Sequence, residues 1–156
     1  MEIRLAESRD IPGMIALLHQ VGEVHHQIRP DIFRSGALKY DEAALEELLK
    51  DKTRPIFVAV EAGPVLGYCF CVIKQFRDHE TFVDRCEFYI DDLCVDENHR
   101  GHGIATALYR HVCAWATDLG CTFVTLNVWQ GNAAAITFYE KMGMTPRSIT
   151  METELC

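Results

Sequence analysis

Residues 89–108 read Tyr-Ile-Asp-Asp-Leu-Cys-Val-Asp-Glu-Asn-His-Arg-Gly-His-Gly-Ile-Ala-Thr-Ala-Leu, and this stretch carries the strongest structural signal in the chain. The apolar run from Phe88 to Val95, interrupted only by Asp91 and Asp92, predicts a strand. A polar connection and a glycine-containing turn follow, and a helical pattern begins directly afterwards. We therefore expect a strand that leads into a helix through a glycine loop.

The loop Arg100-Gly101-His102-Gly103 is suited to bind a phosphate group. The first N–H groups of a helix lack intrahelical partners and lie at the positive end of the helix dipole. Glycine allows the backbone to approach a bulky anion without a Cβ in the way, and Arg100 adds a cation. The backbone N–H of His102, rather than its imidazole, is expected to contribute. The expected binding residues are Arg100, Gly101, His102, Gly103, Ile104, Ala105 and Thr106.

Two other phosphate-binding loops do not fit this stretch. The dinucleotide fingerprint Gly-x-Gly-x-x-Gly needs a third glycine where the chain has Thr106. A Walker loop needs Gly-Lys followed by Ser or Thr, and the sequence contains no Gly-Lys pair. What remains is the pattern Arg-x-x-Gly-x-Ala, formed by Arg100, Gly103 and Ala105 after a strand.

A second group of motifs follows the glycine loop. Leu126-Asn127-Val128 is followed by Asn132 and then by Phe138-Tyr139-Glu140-Lys141-Met142-Gly143-Met144. With the glycine loop, these motifs make residues 85–145 resemble the GNAT-type N-acetyltransferase superfamily. The segment Tyr-Ile-Asp-Asp-Leu-Cys-Val is also similar to the corresponding strand of polyamine acetyltransferases. Residues 1–84 match the superfamily only in the order of their elements.

The resemblance implies acetyl-CoA as the cofactor and assigns residues to it. The loop would hold the pyrophosphate, and Asn132 would help to hold the cofactor. The strand backbone at Leu93, Cys94 and Val95 would pair with the amide groups of the pantetheine arm. Tyr139 would lie next to the thioester sulfur and donate a proton to the departing thiolate. The alternative for Tyr139 is a purely structural aromatic on a buried helix face.

Acetyl transfer to an amine needs a proton acceptor, because an alkyl amine has a pKa of about 10.4 and is protonated at neutral pH. Asp91 and Asp92 are the candidates for proton acceptor and for amine anchor, directly or through ordered water. Regular alternation would place Asp91 on the face of Leu93 and Val95, with Asp92 opposite, unless a β-bulge intervenes. The polyamine enzymes have glutamate at the Asp91 position, so Asp91 has a shorter reach. Both acids could instead be solvated or hold a loop.

The expected acceptor is a small primary amine or a polyamine. His25 and His26 fall where the loop between the first two helices lines the acceptor pocket in this superfamily, although histidine pairs at a polar helix end are often surface residues. Acetylation of a protein N-terminus or lysine is an alternative within the enzyme class. A catalytically idle acetyl-CoA-binding regulatory module and a structural protein whose loop binds nothing are alternatives outside it.

Composition limits the remaining possibilities. The 156 residues are expected to form a single domain over residues 1–156, with 49% hydrophobic residues and a net charge of −8. Without a basic cluster, nucleic acid is not expected as a partner. No apolar run reaches membrane-spanning length, so no membrane partner is expected and the cytosol is the expected compartment. Dimers are common in the superfamily, so a homodimer is a candidate assembly.

The seven cysteines form no Cys-x-x-Cys pair. Most lie in apolar stretches, where a free cysteine behaves as a small hydrophobic residue. Metal-ligand spacing is missing, so no metal is expected. The odd number also argues against a disulfide framework, and we expect reduced thiols in the core.

The periodicity of the chain predicts the element order β-α-α-β-β-β-α-β-α-β. Strands are expected at residues 2–6, 55–61, 65–73, 85–95, 121–129 and 144–155, and residues 74–84 are expected to form a loop or a splayed strand end. Helices are expected to begin near residues 10, 41, 104 and 133. This order predicts an α/β fold in which helices cover both faces of a mixed, mostly antiparallel, twisted sheet.

Overall fold

The computed structural model describes residues 1–155, and a five-stranded sheet with the order β1-β2-β3-β4-β5 lies at its centre. The first three strand pairs are antiparallel, and β4 and β5 are parallel. The mixed, mostly antiparallel sheet predicted from the sequence is therefore confirmed. The strands are β1 Glu2–Leu5, β2 Ile56–Val60, β3 Val65–Phe76, β4 Arg85–Val95 and β5 Phe123–Leu126.

Four α-helices connect the strands, and local signals set their ends. The side chain of Asp41 accepts a hydrogen bond from Ala44 N at 2.8 Å and so caps the second helix. The first helix ends at Ile28, two residues before Pro30, which could not continue it. The helices are α1 Ile11–Ile28, α2 Glu42–Leu48, α3 Ile104–Asp118 and α4 Ala133–Lys141.

Alternate residues of the sheet pack against different helices. We call the side covered by α1 and α2 the α1 face, which buries Val58, Tyr68, Phe70 and Cys94. The opposite side, which we call the α3 face, packs against α3 and α4 and buries Phe57, Cys69, Cys71, Phe88 and Ile90. Both faces of the central strands are apolar, so helices must cover both of them to remove this surface from water.

The pairing of β4 is irregular at two points near its end. In the β3–β4 ladder, Phe70 lies opposite Asp92 and Cys71 lies opposite Ile90, so Asp91 is an extra residue in a β-bulge. The β4–β5 ladder ends at the pair of Ile90 and Leu126. Within residues 1–155, the outer edge of β4 from Asp91 to Val95 therefore has no strand partner.

The ends of β3 and β5 and the last predicted strand differ from the structure. β3 continues to Phe76, and β5 ends at Leu126 because its pairing with β4 stops there. The predicted terminal strand at residues 144–155 is wrong, since this segment carries no strand in the structure. Its alternating apolar residues have no neighbouring strand to pack on: Ile149, Met151 and Leu155 are 79%, 85% and 88% exposed.

The expectation of reduced thiols is wrong for one pair, because Cys86 and Cys121 form a disulfide. Cys86 lies on β4 and Cys121 lies just before β5, and the parallel pairing of these strands brings their Cα atoms to 4.4 Å. Their separation of 35 residues left no local signal in the sequence. Cys69, Cys71, Cys94 and Cys113 are free, and Cys156 lies outside the described residues.

In the part of the chain that the structure describes, no helix is both long and apolar enough to cross a membrane.

Candidate active site

The glycine loop forms an open cradle between β4 and α3. Gly101 and Gly103 both have φ of +80°, a left-handed conformation that residues with a Cβ rarely adopt. A Cβ at either position would meet no atom within 4 Å, so glycine is required for the backbone conformation and not for lack of space. Arg100 is exposed, and its Nε donates to Val95 O at 3.2 Å, which ties the loop to the end of β4.

The start of α3 presents backbone N–H groups to this cradle. Gly103 is the N-cap and has no side chain with which to satisfy them. The side chain of Ile104 is buried in the core, so only its backbone is available to a ligand. His102 directs Nδ1 to His99 O at 3.2 Å, and Ala105 and Thr106 are partly buried in the first turn. The groups that the loop exposes are therefore mainly backbone N–H groups.

The three expected pantetheine contacts lie where β4 pairs with β3 on one side and, within residues 1–155, has no strand partner on its outer edge. Cys94 faces the α1 face, where its thiol contacts Leu17 O at 3.6 Å and burial raises the thiol pKa to about 12. Leu93 and Val95 pack on the α3 face. Since these side chains are engaged in packing, the available groups are the backbone N–H and C=O of the strand edge.

Asn132 and Tyr139 lie on opposite ends of α4. Asn132 is the N-cap, and its Oδ1 accepts from Ala135 N at 3.2 Å, so capping uses the oxygen of the side chain and not its NH₂. Tyr139 packs partly buried on the α3 face beside Tyr109, with ring centroids 6.5 Å apart. Burial and the nearby charge of Asp92 raise the pKa of Tyr139, so its hydroxyl stays protonated.

The bulge changes where the two aspartates point. Asp91 contacts Lys39 and Tyr40, and Asp92 contacts Tyr68, so both carboxylates lie on the α1 face. Regular alternation was expected only in the absence of a β-bulge: Asp92 lies on the face opposite Leu93 as expected, whereas the bulge moves Asp91 off the Leu93 face. The extra residue at Asp91 shifts the alternation by one position, as a β-bulge does.

Asp92 is held by a buried tyrosine. The hydroxyl of Tyr68 donates to Asp92 Oδ2 at 2.9 Å, and Tyr68 is fully buried. Burial raises the pKa of Asp92, while the Tyr68 hydrogen bond and the positive charge of Lys39 partly oppose the rise. A raised pKa makes Asp92 a better proton acceptor than an ordinary aspartate near neutral pH.

Asp91 is already bound to groups from the loop between α1 and α2. Lys39 Nζ donates to Asp91 Oδ2 at 2.8 Å, and the Tyr40 hydroxyl donates to the same oxygen at 3.1 Å. Arg54 in turn donates to the Tyr40 hydroxyl at 3.0 Å. No local pattern in the sequence pointed to Lys39, because it lies 52 residues from Asp91.

The two histidines at the end of α1 have different surroundings. The His25 ring stacks on Phe33 with centroids 5.0 Å apart. A positive charge on His25 lowers the pKa of Asp92. His26 Nδ1 is 2.7 Å from Phe33 O and so helps to hold the loop after α1. Phe33 also packs edge-on against Trp129, with ring centroids 5.1 Å apart, which joins the loop after α1 to the segment after β5. Both histidines therefore contact Phe33, His25 through its ring and His26 through the Phe33 carbonyl oxygen.

Within residues 1–155, no group of three or more His, Cys, Asp or Glu side chains is arranged to hold a metal ion.

Comparison with known proteins identifies the family to which a chain with this sheet and glycine loop belongs. Residues 23–144 match the model of the Acetyltransferase (GNAT) family. The chain belongs to this family. The GNAT match includes the bulged strand, the glycine loop and Tyr139, and it extends the resemblance inferred from residues 85–145 into α1 and α2.

Individual relatives agree with the family match. An uncharacterised N-acetyltransferase of Mycobacterium tuberculosis is 34% identical over 101 residues, covering 65% of this chain and 59% of that protein. The mouse thialysine N-epsilon-acetyltransferase is 25% identical over 142 residues, covering 91% of this chain and 81% of the mouse protein. The match thus spans less than two thirds of the mycobacterial relative.

A solved structure shows the same fold over the whole chain. A mutant form of a Bacillus halodurans protein has a TM-score of 0.95 and 29% sequence identity, with both chains covered completely. The GNAT fold predicted from the motifs is therefore confirmed.

Proposed function

We propose that this protein is an N-acetyltransferase that moves the acetyl group of acetyl-CoA to a primary amine, either a small amine or a polyamine. The observation that carries the proposal is the bulge in β4. It turns the carboxylates of both Asp91 and Asp92 to the α1 face, next to the edge of β4 that, within residues 1–155, has no strand partner beyond Ile90. In this proposal Asp92 is the proton acceptor and Tyr139, which packs on the α3 face, is the proton donor.

The residues present fit acetyl-CoA. The open cradle at Gly101 and Gly103 suits a pyrophosphate, and Arg100 would add a charge at its mouth. The edge from Leu93 to Val95 offers backbone groups that an extended pantetheine arm would pair with. The Asn132 side-chain NH₂ would donate to the same ligand. Once bound, acetyl-CoA supplies an activated acetyl group with a thiolate as leaving group.

The roles of the chain's own groups follow from their protonation. Asp92, whose pKa is raised, would accept the proton of the amine, directly or through water. Tyr139, whose hydroxyl keeps its proton, would donate to the sulfur as the thiolate leaves. A backbone N–H at the bulge would stabilise the negative charge that develops on the acetyl oxygen. Asp91 and His25 would line the acceptor side.

The alternatives differ in what they need from the cleft. The mouse relative is a thialysine N-epsilon-acetyltransferase, which favours an amine on a small molecule. Acetylation of a protein N-terminus or lysine would need an open groove, whereas a small amine would need a closed acidic pocket. An idle acetyl-CoA-binding module would not need the Tyr68–Asp92 pair.

Coenzyme A release should be measured over polyamines, aminoglycosides, amino acids and N-terminal peptides. The Tyr139→Phe variant should lower kcat by about 10²-fold or more, as loss of a general acid does, and leave the Kd for acetyl-CoA within a factor of about two. Unchanged turnover at saturating substrates would remove the role assigned to Tyr139. Tight cofactor binding with no transfer to any amine would favour the idle module.

We also propose that residues 1–156 act as a single domain, in the cytosol, and as a homodimer. Within the described residues, β5 lies at the edge of the sheet, and the alternating residues Ile149, Met151 and Leu155 are exposed. Both features support the dimer, since two copies could cover each other's apolar surface. Replacing Ile149 and Met151 by serine should then shift the mass measured by light scattering from a dimer to a monomer. Cell fractionation would test the compartment.

A further inference from the structure

The acceptor side of the cleft contains an ammonium group that belongs to the protein itself. Lys39 Nζ lies 2.8 Å from Asp91 Oδ2 and 3.4 Å from the Asp91 carbonyl oxygen. It also lies 5.6 Å from the centroid of the Tyr40 ring, which adds a cation–π contact. A carboxylate, a carbonyl oxygen and an aromatic face are the groups that a protein would use to bind a substrate ammonium. In this structure they bind a lysine.

The charges around Asp91 and Asp92 are nearly balanced before any substrate enters. The two carboxylates face the Lys39 ammonium on Asp91 and the Arg54 guanidinium, which reaches Asp91 through the Tyr40 hydroxyl. His25 is the remaining titratable group whose charge acts on Asp92. The carboxylate left for an incoming amine is therefore Asp92, of which one oxygen is held by Tyr68.

Lys39 is held firmly but can be displaced. Burial alone would lower the pKa of Lys39, but its hydrogen bond to Asp91 and the charges of both aspartates outweigh burial and raise it. The lysine therefore stays charged at neutral pH. Its side chain is nevertheless 44% exposed, so solvent can compete for it, whereas the Asp91 side chain is only 19% exposed.

We propose that Lys39 is a specificity-determining residue. Its ammonium group pairs with the Asp91 carboxylate, to which the second ammonium group of a diamine would otherwise bind. This inference rests on the proposed function and narrows its acceptor class. The site then favours amines that carry a single positive charge, because a second ammonium must displace Lys39 or lie against it. Polyamines would be poor substrates for this reason, although the cleft carries two acids.

The test compares two acceptors of equal length, pentylamine and 1,5-diaminopentane, which differ by one ammonium group. In the wild type, kcat/KM should favour pentylamine. In Lys39→Gln the ratio should move about tenfold towards the diamine, which is the size expected when one partly exposed carboxylate is freed to pair. Lys39→Arg should keep the wild-type ratio. Lys50→Gln is the matched control, since Lys50 pairs with Glu47 on an exposed surface.

Binding of 1,5-diaminopentane to each variant in the presence of coenzyme A, measured by calorimetry, gives a second result that does not depend on turnover. Tighter binding in Lys39→Gln but not in Lys50→Gln supports the inference. Equal selectivity and equal binding in both variants overturn it, whether or not the protein transfers acetyl groups. Failure of the wild type to acetylate any amine would instead overturn the proposed function.

Discussion

The hydroxyl groups of Tyr68 and Tyr40 each donate to a different aspartate, and this arrangement can show which acid accepts the proton. Tyr68 donates to Asp92 at 2.9 Å, and Tyr40 donates to Asp91 at 3.1 Å. A hydrogen bond to a charged group contributes about 1.5–3 kcal/mol, and about 1.4 kcal/mol corresponds to one pKa unit. The Tyr68 hydroxyl therefore stabilises the Asp92 carboxylate by about 1.5–3 kcal/mol, and its loss should raise the pKa of Asp92.

The sign of the effect follows from the ionised form of the acid. The Tyr68 hydroxyl stabilises the Asp92 carboxylate and lowers its pKa against the effect of burial. In Tyr68→Phe, Asp92 should bind a proton at higher pH, so the acid limb of the kcat–pH profile should move upward by about one unit or more. The profile is measured by coenzyme A release at saturating substrates between about pH 5 and pH 9.

Tyr40→Phe is the matched control, because it removes the same atom from the neighbouring aspartate. Its acid limb should stay in place if Asp92 is the proton acceptor. A limb that moves only in Tyr40→Phe would assign the role to Asp91. A limb that stays in place in both variants would show that neither carboxylate accepts the proton in the rate-limiting step, and the reasoning above would be wrong.

Two further predictions concern the cradle and the Glu87 ion pair. Gly103→Ala should weaken acetyl-CoA binding, measured by calorimetry, about tenfold, because φ of +80° costs a residue with a Cβ about 1–2 kcal/mol. The control is Gly120→Ala, which alters a glycine with φ of +71° after α3 and should leave the affinity for acetyl-CoA unchanged. Arg147→Met should lower the unfolding free energy by about 1 kcal/mol at pH 7, since hydrogen bonds from Arg147 and Arg85 hold the pKa of buried Glu87 at about 2 against a usual 4.5. This stabilisation is present above about pH 4.5 and is lost as the pH falls towards 2. The unfolding free energies of the wild type and Arg147→Met, measured by urea titration, should therefore converge at low pH. A difference that stays constant with pH would contradict the assignment.

The local elements were predictable because their signals lie close together in the chain. The limits of β4 match the expected strand, and α3 and α4 begin at the expected residues after Gly103 and Asn132. Apolar periodicity, caps and glycine turns act over a few residues, so one sequence is enough to read them. The segment after Gly143 shows the limit of this reasoning, since its alternation predicts a strand but residues 1–155 offer it no partner strand.

By itself, the sequence determined the glycine loop between β4 and α3, the order of the elements as far as α4, and the positions of Asp91, Asp92 and Tyr139 along the chain. Only the tertiary structure decided that a bulge turns both acids to the α1 face, that Tyr68 holds one acid and that Lys39 occupies the other. The physical reason is the distance along the chain over which each property is set. Helix starts and turns depend on neighbouring residues, whereas the charge and protonation of the site depend on groups 24 to 52 residues away that meet only in the folded chain.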